Sequence, residues 1–230
     1  MSELLGDSLF FGVVVSVLAY QVGMTIKKRW KLALFNPLLI SIVLVMAVLL
    51  AFHVDYETYN AGAKYLSYLL TPATVCLAIP LYEQLEQLKK NARAIAAGIL
   101  SGVLTSLLSV LALAFVFGLS HEEYVTLLPK SITTAIGMGV SEELGGIVTI
   151  TVAVIIVTGV LGNIIAELVC RIFRIHEPVA RGIAIGSAAH AIGTARAMEM
   201  GEVEGAMSSL SIAVSGLLTV IGASVFAMFL

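Results

Sequence analysis

Charge is what this 230-residue chain has least of. Its 13 Lys+Arg and 15 Asp+Glu make up 12% of positions, about half the ~25% of a soluble domain. The apolar fraction is 59% and the mean hydropathy +1.03. A soluble fold of this length has too little interior for so much apolar surface. A net charge of −2 offers no basic field for nucleic acid, so none is expected as a partner. Cysteine is scarce too. Cys76 and Cys170 both lie in apolar runs, which excludes a disulfide framework. The four histidines, at 53, 121, 176 and 190, have no metal-ligand spacing. No Walker, Rossmann, His-Glu-x-x-His or nucleophile-elbow pattern occurs, so neither a cofactor nor an enzyme is expected. The start carries Glu3 and Asp7 and no basic residue, unlike a signal peptide, so 8–26 is expected to be a retained span.

What the chain has is apolar runs. Intervals without Asp, Glu, Lys or Arg cover 8–26, 32–54, 65–82, 94–121, 144–166 and 205–230, with shorter ones at 131–141 and 182–195. A spanning helix needs about 20 apolar residues. Five intervals qualify: 8–26, 32–54, 94–121, 144–166 and 205–230. They show no period-2 alternation, so helix is expected over barrel strand. The second opens on Asn36-Pro37, a helix-capping pair. The remaining segments, 65–82, 129–146 and 182–201, are short and interrupted by Pro, Gly, Ser or Thr, and read as broken or re-entrant helices.

Basic residues cluster at 27–31, 89–93 and 171–181. Placing all three in the cytoplasm puts the N-terminus outside. Residues 122–143 must then enter and leave on one face or pair with an extra partial crossing. Glu122, Glu123, Glu142, Glu143, Glu199, Glu202 and Glu204 fall on the outer face, and the C-terminus lies inside if 182–198 crosses.

The odd segments resemble one another. Thr74…Ala78-Ile79-Pro80 with Glu86, Ser131…Ala135-Ile136-Gly137 with Glu143, and Ser187…Ala191-Ile192-Gly193 with Glu199 share one pattern. Their offsets are 131 − 74 = 57 and 187 − 131 = 56. The alternative is chance recurrence in an Ala/Ile/Gly-rich chain. A broken helix followed by a continuous one, repeated and inverted, is the pattern of a secondary transporter. The expected fold is therefore an all-α integral membrane protein. It would have about seven or eight transmembrane elements, broken or re-entrant helices and internal inverted repeats. We expect a single domain, 1–230, with halves near 1–118 and 119–230.

Polar groups at membrane depth are costly and usually functional. Pro129 precedes Lys130, Ser131, Thr133 and Thr134, as Pro72 separates Thr71 from Thr74. Half-helix N-termini of this kind attract anions. His190, Thr194 and Arg196 cluster in the third segment, near Ser187, Gly186 and Gly193. Arg196 has the geometry to clamp a carboxylate, and His190 to donate to it or carry a proton. The competing readings are interfacial snorkelling for Lys130 and Arg196, helix contact for His190, self-bonded hydroxyls, and glycines for close packing.

Several blocks carry a family resemblance. They are Asn36-Pro-Leu-Leu39, Ala78-Ile-Pro-Leu-Tyr-Glu-Gln84, Leu128-Pro-Lys-Ser-Ile-Thr-Thr134, Gly145-Gly146, Ala188-Ala-His-Ala-Ile-Gly-Thr-Ala-Arg196 and Glu204-Gly-Ala-Met-Ser-Ser-Leu210. Over nearly its whole length the chain resembles the LrgB/CidB family. That resemblance implies a multi-pass protein of the bacterial cytoplasmic (inner) membrane, described as antiholin-like or holin-like. It implies a separate LrgA/CidA-type partner and a link to murein hydrolase control and cell lysis. It also implies relatives that move pyruvate, or glycolate and glycerate in plastids. Combined with the polar clusters, the expectation is a transporter or transport subunit for small monocarboxylates. The anion would meet Thr71, Thr74, Lys130, Ser131, Thr133, Thr134, Gly137, Ser187, His190, Gly193, Thr194 and Arg196. A lysis regulator is the alternative. The expected partners are the carboxylate, the lipid bilayer, the LrgA/CidA-type protein and further copies of the chain.

Overall fold

The computed structural model describes residues 10–30, 35–76 and 78–230, apart from the side chains at 70, 71, 74, 80 and 81. Its contacts divide the chain into two compact units, Met1–Cys76 and Leu77–Leu230. All regular structure among the described residues is helical.

The first unit holds α1 (Phe11–Trp30), α2 (Pro37–Ala51), α3 (Tyr56–Ser67) and α4 (Leu70–Cys76). Asn36 starts α2 as the sequence suggests, its Oδ1 accepting from the Leu38 amide at 2.8 Å while Pro37 fills the first turn. Gly12 lets α1 touch the backbone of α3 at Tyr59 and Ala63, and Ser16 shares a 2.7 Å hydrogen bond with the Tyr59 hydroxyl. At 15 residues, α2 is shorter than the 32–54 interval promised.

The second unit begins with α5 (Ala78–Glu83) and α6 (Leu85–Phe117). Then come α7 (His121–Leu127), α8 (Thr134–Glu143), α9 (Val148–Ile172), α10 (Pro178–Met200), α11 (Glu202–Phe226) and a 3₁₀ turn at Ala227–Phe229. Three described stretches are long and apolar enough to cross a membrane: Leu85–Phe117, Val148–Ile172 and Glu202–Phe229. The protein is thus an all-α membrane protein, with three such spans among the described residues against five intervals in the sequence.

Two hairpins fill the space between these spans. In the first, α7 and α8 are joined by residues 128–133, where Pro129 interrupts the helix. The arms run antiparallel. A Cβ on Gly137 would come within 3.5 Å of the Pro129 carbonyl, and one on Gly146 would touch Thr126. A polar cluster clamps the base. Thr126 Oγ1 accepts from the Ile147 amide at 2.8 Å, and Thr151 Oγ1 lies 2.9 Å from the Thr126 carbonyl and 2.7 Å from Ser141 Oγ. Residues 121–143 therefore leave at the end where they enter. Ser120 caps α7 in a full capping box, and its amide and hydroxyl hold the Glu123 carboxyl below the usual carboxylate range.

The second hairpin is α10. His190, at φ 42° and ψ −143°, breaks it into arms 178–189 and 191–200. On the first arm, Gly182 faces Glu204 and Met207, and Gly186 faces Ser208 and Ser211, so this arm runs parallel to α11. On the second, Thr194 meets Ser208 and Met198 meets Gly205, so the direction has reversed. Gly193 sits in the notch, where an added Cβ would lie 2.5 Å from Ala189 Cβ and 3.3 Å from the Ile185 carbonyl. Along α9 the contacts step from Ala189–Gly162 to Ile192–Asn163 and Arg196–Glu167, back toward Ile172.

This reversal rules out the crossing by 182–198 on which an inside C-terminus depends, and with it the placing of Glu204 on the face opposite Arg181. A crossing by 182–198 would separate Glu204 from Arg181, yet Arg181 Nη1 stands 3.8 Å from Glu204 Oε1. Because α10 turns back, α11 starts at the Arg181 end and carries the C-terminus to the opposite end, where the Tyr124 hydroxyl donates to the Phe226 carbonyl at 3.0 Å.

Candidate functional site in the second unit

A cavity of about 1190 Å³ lies within the Leu77–Leu230 unit. One long wall is a stripe on α6. Gln87, Asn91, Ala94, Gly98, Ser101, Thr105 and Ser109 recur every three to four residues, the spacing of one helix face. From 87 to 109 the stripe rises about 33 Å, close to the ~30 Å of a hydrocarbon core. The opposing walls are Thr158 and Gly162 of α9 and Ile183, Ser187 and Ala188 of α10. Small residues let α10 lie this close. A Cβ on Gly102 would come within 2.8 Å of Ser187 Oγ, and one on Gly98 within 3.1 Å of Ile183.

The two ends of the cavity differ. At one end Gln87, Lys90, Glu177 and Pro178 are all exposed. At the other stands the first hairpin's tip, with Lys130 and Ser131 on the lining and Leu128, Pro129 and Ile132 fully buried behind them. Lys130 Nζ donates to Ser131 Oγ at 2.9 Å and to Ser106 Oγ at 3.2 Å, and Ser106 Oγ donates to Ser131 Oγ at 3.2 Å. No carboxylate pairs with Lys130 among the described residues. The space is a vestibule with an exposed mouth and a cationic floor.

Of the residues singled out from sequence, Lys130, Ser131 and Ser187 line this cavity together. Thr133 and Thr134 open α8 and are half-buried, off the lining. Gly137 packs against Ile155. His190 is buried, and its Nε2–H donates to the Ile155 carbonyl at 3.0 Å. Thr194 Oγ1 donates to the His190 carbonyl at 3.0 Å and meets Ser208 Oγ at 2.7 Å. These groups hold the bend of the second hairpin. Arg196 is engaged elsewhere, Nη1 on Glu199 at 2.6 Å and Nη2 on Glu167 at 2.7 Å. The side chains of Thr71 and Thr74 lie outside the described residues. Among the described residues no three of His, Cys, Asp or Glu gather as metal ligands.

Comparison with known proteins matches the family described as LrgB-like over residues 16–229. The chain belongs to the LrgB family. Two relatives are called "Antiholin-like protein LrgB", one from Bacillus cereus (strain B4264) and one from Bacillus anthracis (strain CDC 684 / NRRL 3495). Each is 39% identical over 222 residues, covering 96% of either chain. No solved structure gives a significant match.

In this LrgB-family chain the α6 wall carries none of the residues expected from sequence to meet the anion. Ser101, Thr105, Ser106 and Ser109 lie within the 94–121 interval, which read as a plain span. Their helical spacing in an otherwise apolar run was the available signal.

Proposed function

We propose that the chain is an antiholin-like protein of a bacterial cytoplasmic membrane. It acts with an LrgA/CidA-type partner to restrain envelope permeabilisation and murein hydrolase activity. The match to relatives so named, over 96% of the chain, carries this reading. A vestibule floored by buried side chains suits a protein that limits passage. The test is co-expression with a holin-like partner, following culture turbidity and release of a cytoplasmic enzyme. The chain is expected to delay release; release on the same schedule with and without it overturns the reading.

A second reading is passage of small monocarboxylates such as pyruvate or glycolate. The vestibule favours it: hydroxyls along a path as long as a membrane core and one unpaired cation at its floor. Lys130, Ser131 and Ser187 would meet the anion. Thr133, Thr134 and Gly137 would position the first tip, and His190, Gly193 and Thr194 the second. Arg196 would join through rearrangement of its ion pairs. The two broken-then-continuous helix pairs, with breaks at 128–133 and His190, suit an inverted repeat contained within 119–230, the second of the halves expected near 1–118 and 119–230. An outside N-terminus and self-association belong to the same proposal. Uptake of labelled pyruvate into proteoliposomes, with and without the partner, tests it. Uptake no faster than in empty liposomes under both conditions removes this reading and leaves the first intact.

A further inference from the structure

The vestibule floor has donors to spare. An ammonium carries three N–H groups, and Lys130 gives two of them, to Ser106 and Ser131. Ser131 Oγ accepts from both Lys130 and Ser106, so its own proton has no acceptor in that cluster. The floor thus holds one positive charge, one spare N–H and one spare O–H. The carboxylate on the lining is Glu177, at the mouth. The first arm of α10 separates it from Ser187 by about 14 Å of rise. An ammonium in a low-dielectric setting draws a counter-ion when its neighbours supply none.

We infer that the Lys130–Ser131–Ser106 cluster is a seat for a small monovalent anion, reached from the end where Lys90 and Glu177 stand. This deepens the carboxylate reading and rests on it for its biological occupant, but the chemistry requires only a compact anion with one charge. One cation matches one charge. The spare donors match an acceptor that lacks protons of its own. Lys90 at the mouth adds attraction along the same wall. Ser106 becomes a positioning residue, since it fixes the ammonium from the α6 side. Binding has a second consequence. An anion competes with Ser106 and Ser131 for the ammonium, and those hydrogen bonds tie the first hairpin's tip to α6.

The test uses the full chain with Cys76→Ser, Cys170→Ala and Ser109→Cys, which places a thiol on the stripe one turn from Ser106. Ser109 bonds only its own helix carbonyl, at Ser106, so its replacement spares the cluster. Two methanethiosulfonate reagents of similar size are compared, one bearing a sulfonate and one a trimethylammonium. The sulfonate reagent is expected to react about tenfold faster. Millimolar bromide, at constant ionic strength with fluoride as the balancing anion, is expected to slow it. Labelling in sealed vesicles is expected from the Lys90 face alone. Lys130→Gln is expected to remove the preference and the bromide effect, whereas Lys130→Arg keeps them and so excludes simple misfolding. Equal rates for the two reagents, or a preference that survives Lys130→Gln, overturn the seat. Modification needs no net transport, so a preserved preference without pyruvate uptake removes only the carboxylate reading. Uptake with no preference removes only the seat.

Discussion

Gly159→Ala and Gly139→Ala are the same substitution in two helices, and the structure gives them opposite signs. At Gly159, on α9, the new Cβ would lie 2.6 Å from His190 Cε1 and 2.8 Å from Nε2. The imidazole would have to move, and the hydrogen bond from Nε2 to the Ile155 carbonyl would be lost. The Ile155 carbonyl keeps its bond from the Gly159 amide within α9, but the orphaned imidazole N–H costs about 1–3 kcal/mol, and overpacking at a well-filled site about 1–3 kcal/mol more. His190 is already in the left-handed region, which costs a further ~1–3 kcal/mol unless its neighbours hold it. The substitution should therefore destabilise by roughly 2–6 kcal/mol from these two effects, and by more where the bend is released. At Gly139, inside α8, nothing lies within 4 Å. Alanine there should be neutral or stabilise by about 0.5–1 kcal/mol through helix propensity. Thermal unfolding in detergent, followed by circular dichroism, reads both. A Gly159→Ala protein as stable as wild type would refute the tight packing of His190 on α9, and with it the reversal of α10.

Thr151→Val keeps the shape but strips the group beside the Thr126 carbonyl and Ser141, and should lower stability by ~1–3 kcal/mol. Asn163→Leu removes the 2.7 Å donor to the Ile192 carbonyl just past the bend, and amide exchange at 191–200 should accelerate while α11 stays protected. Ser120→Ala breaks the capping box at a cost near 1 kcal/mol. Glu123 has a lowered native pKa, so its contribution is present above the ordinary carboxylate range and fades as pH falls through the lower value. The deficit of Ser120→Ala against wild type should therefore shrink in acid, read by thermal unfolding at several pH values. Arg196→Gln removes two partly exposed ion pairs and should change stability by less than about 1 kcal/mol, which thermal unfolding checks.

The breaks in the helices were readable from composition. Pro129, followed by Lys, Ser and Thr, marks the first tip, and the three basic clusters limit 122–143 to a same-face path or an extra partial crossing. The direction of α10 was not readable. Its reversal turns on one residue at φ 42°, and histidine carries no turn signal comparable to Gly or Pro. Once that arm folds back, Glu204 joins Arg181, and Arg196 meets Glu167, 29 residues away on α9. Neither pairing has a local pattern. The hydroxyls of α6 were visible, but a serine bonded to its own helix and a serine on a vestibule wall look alike in sequence. Ser106 was settled by what packs against it, Lys130 and Ser131, which lie 24 and 25 residues on.

The vestibule exists as described only if α10 returns to the end it started from. Spin labels on Ala180→Cys and Glu199→Cys, in the Cys76→Ser and Cys170→Ala background, measure this directly. Two packed arms place the labels one to one and a half helix diameters apart, about 10–18 Å. A separation near 28 Å, the rise of 19 residues of unbroken helix, would mean that α10 crosses and that the vestibule has no such wall.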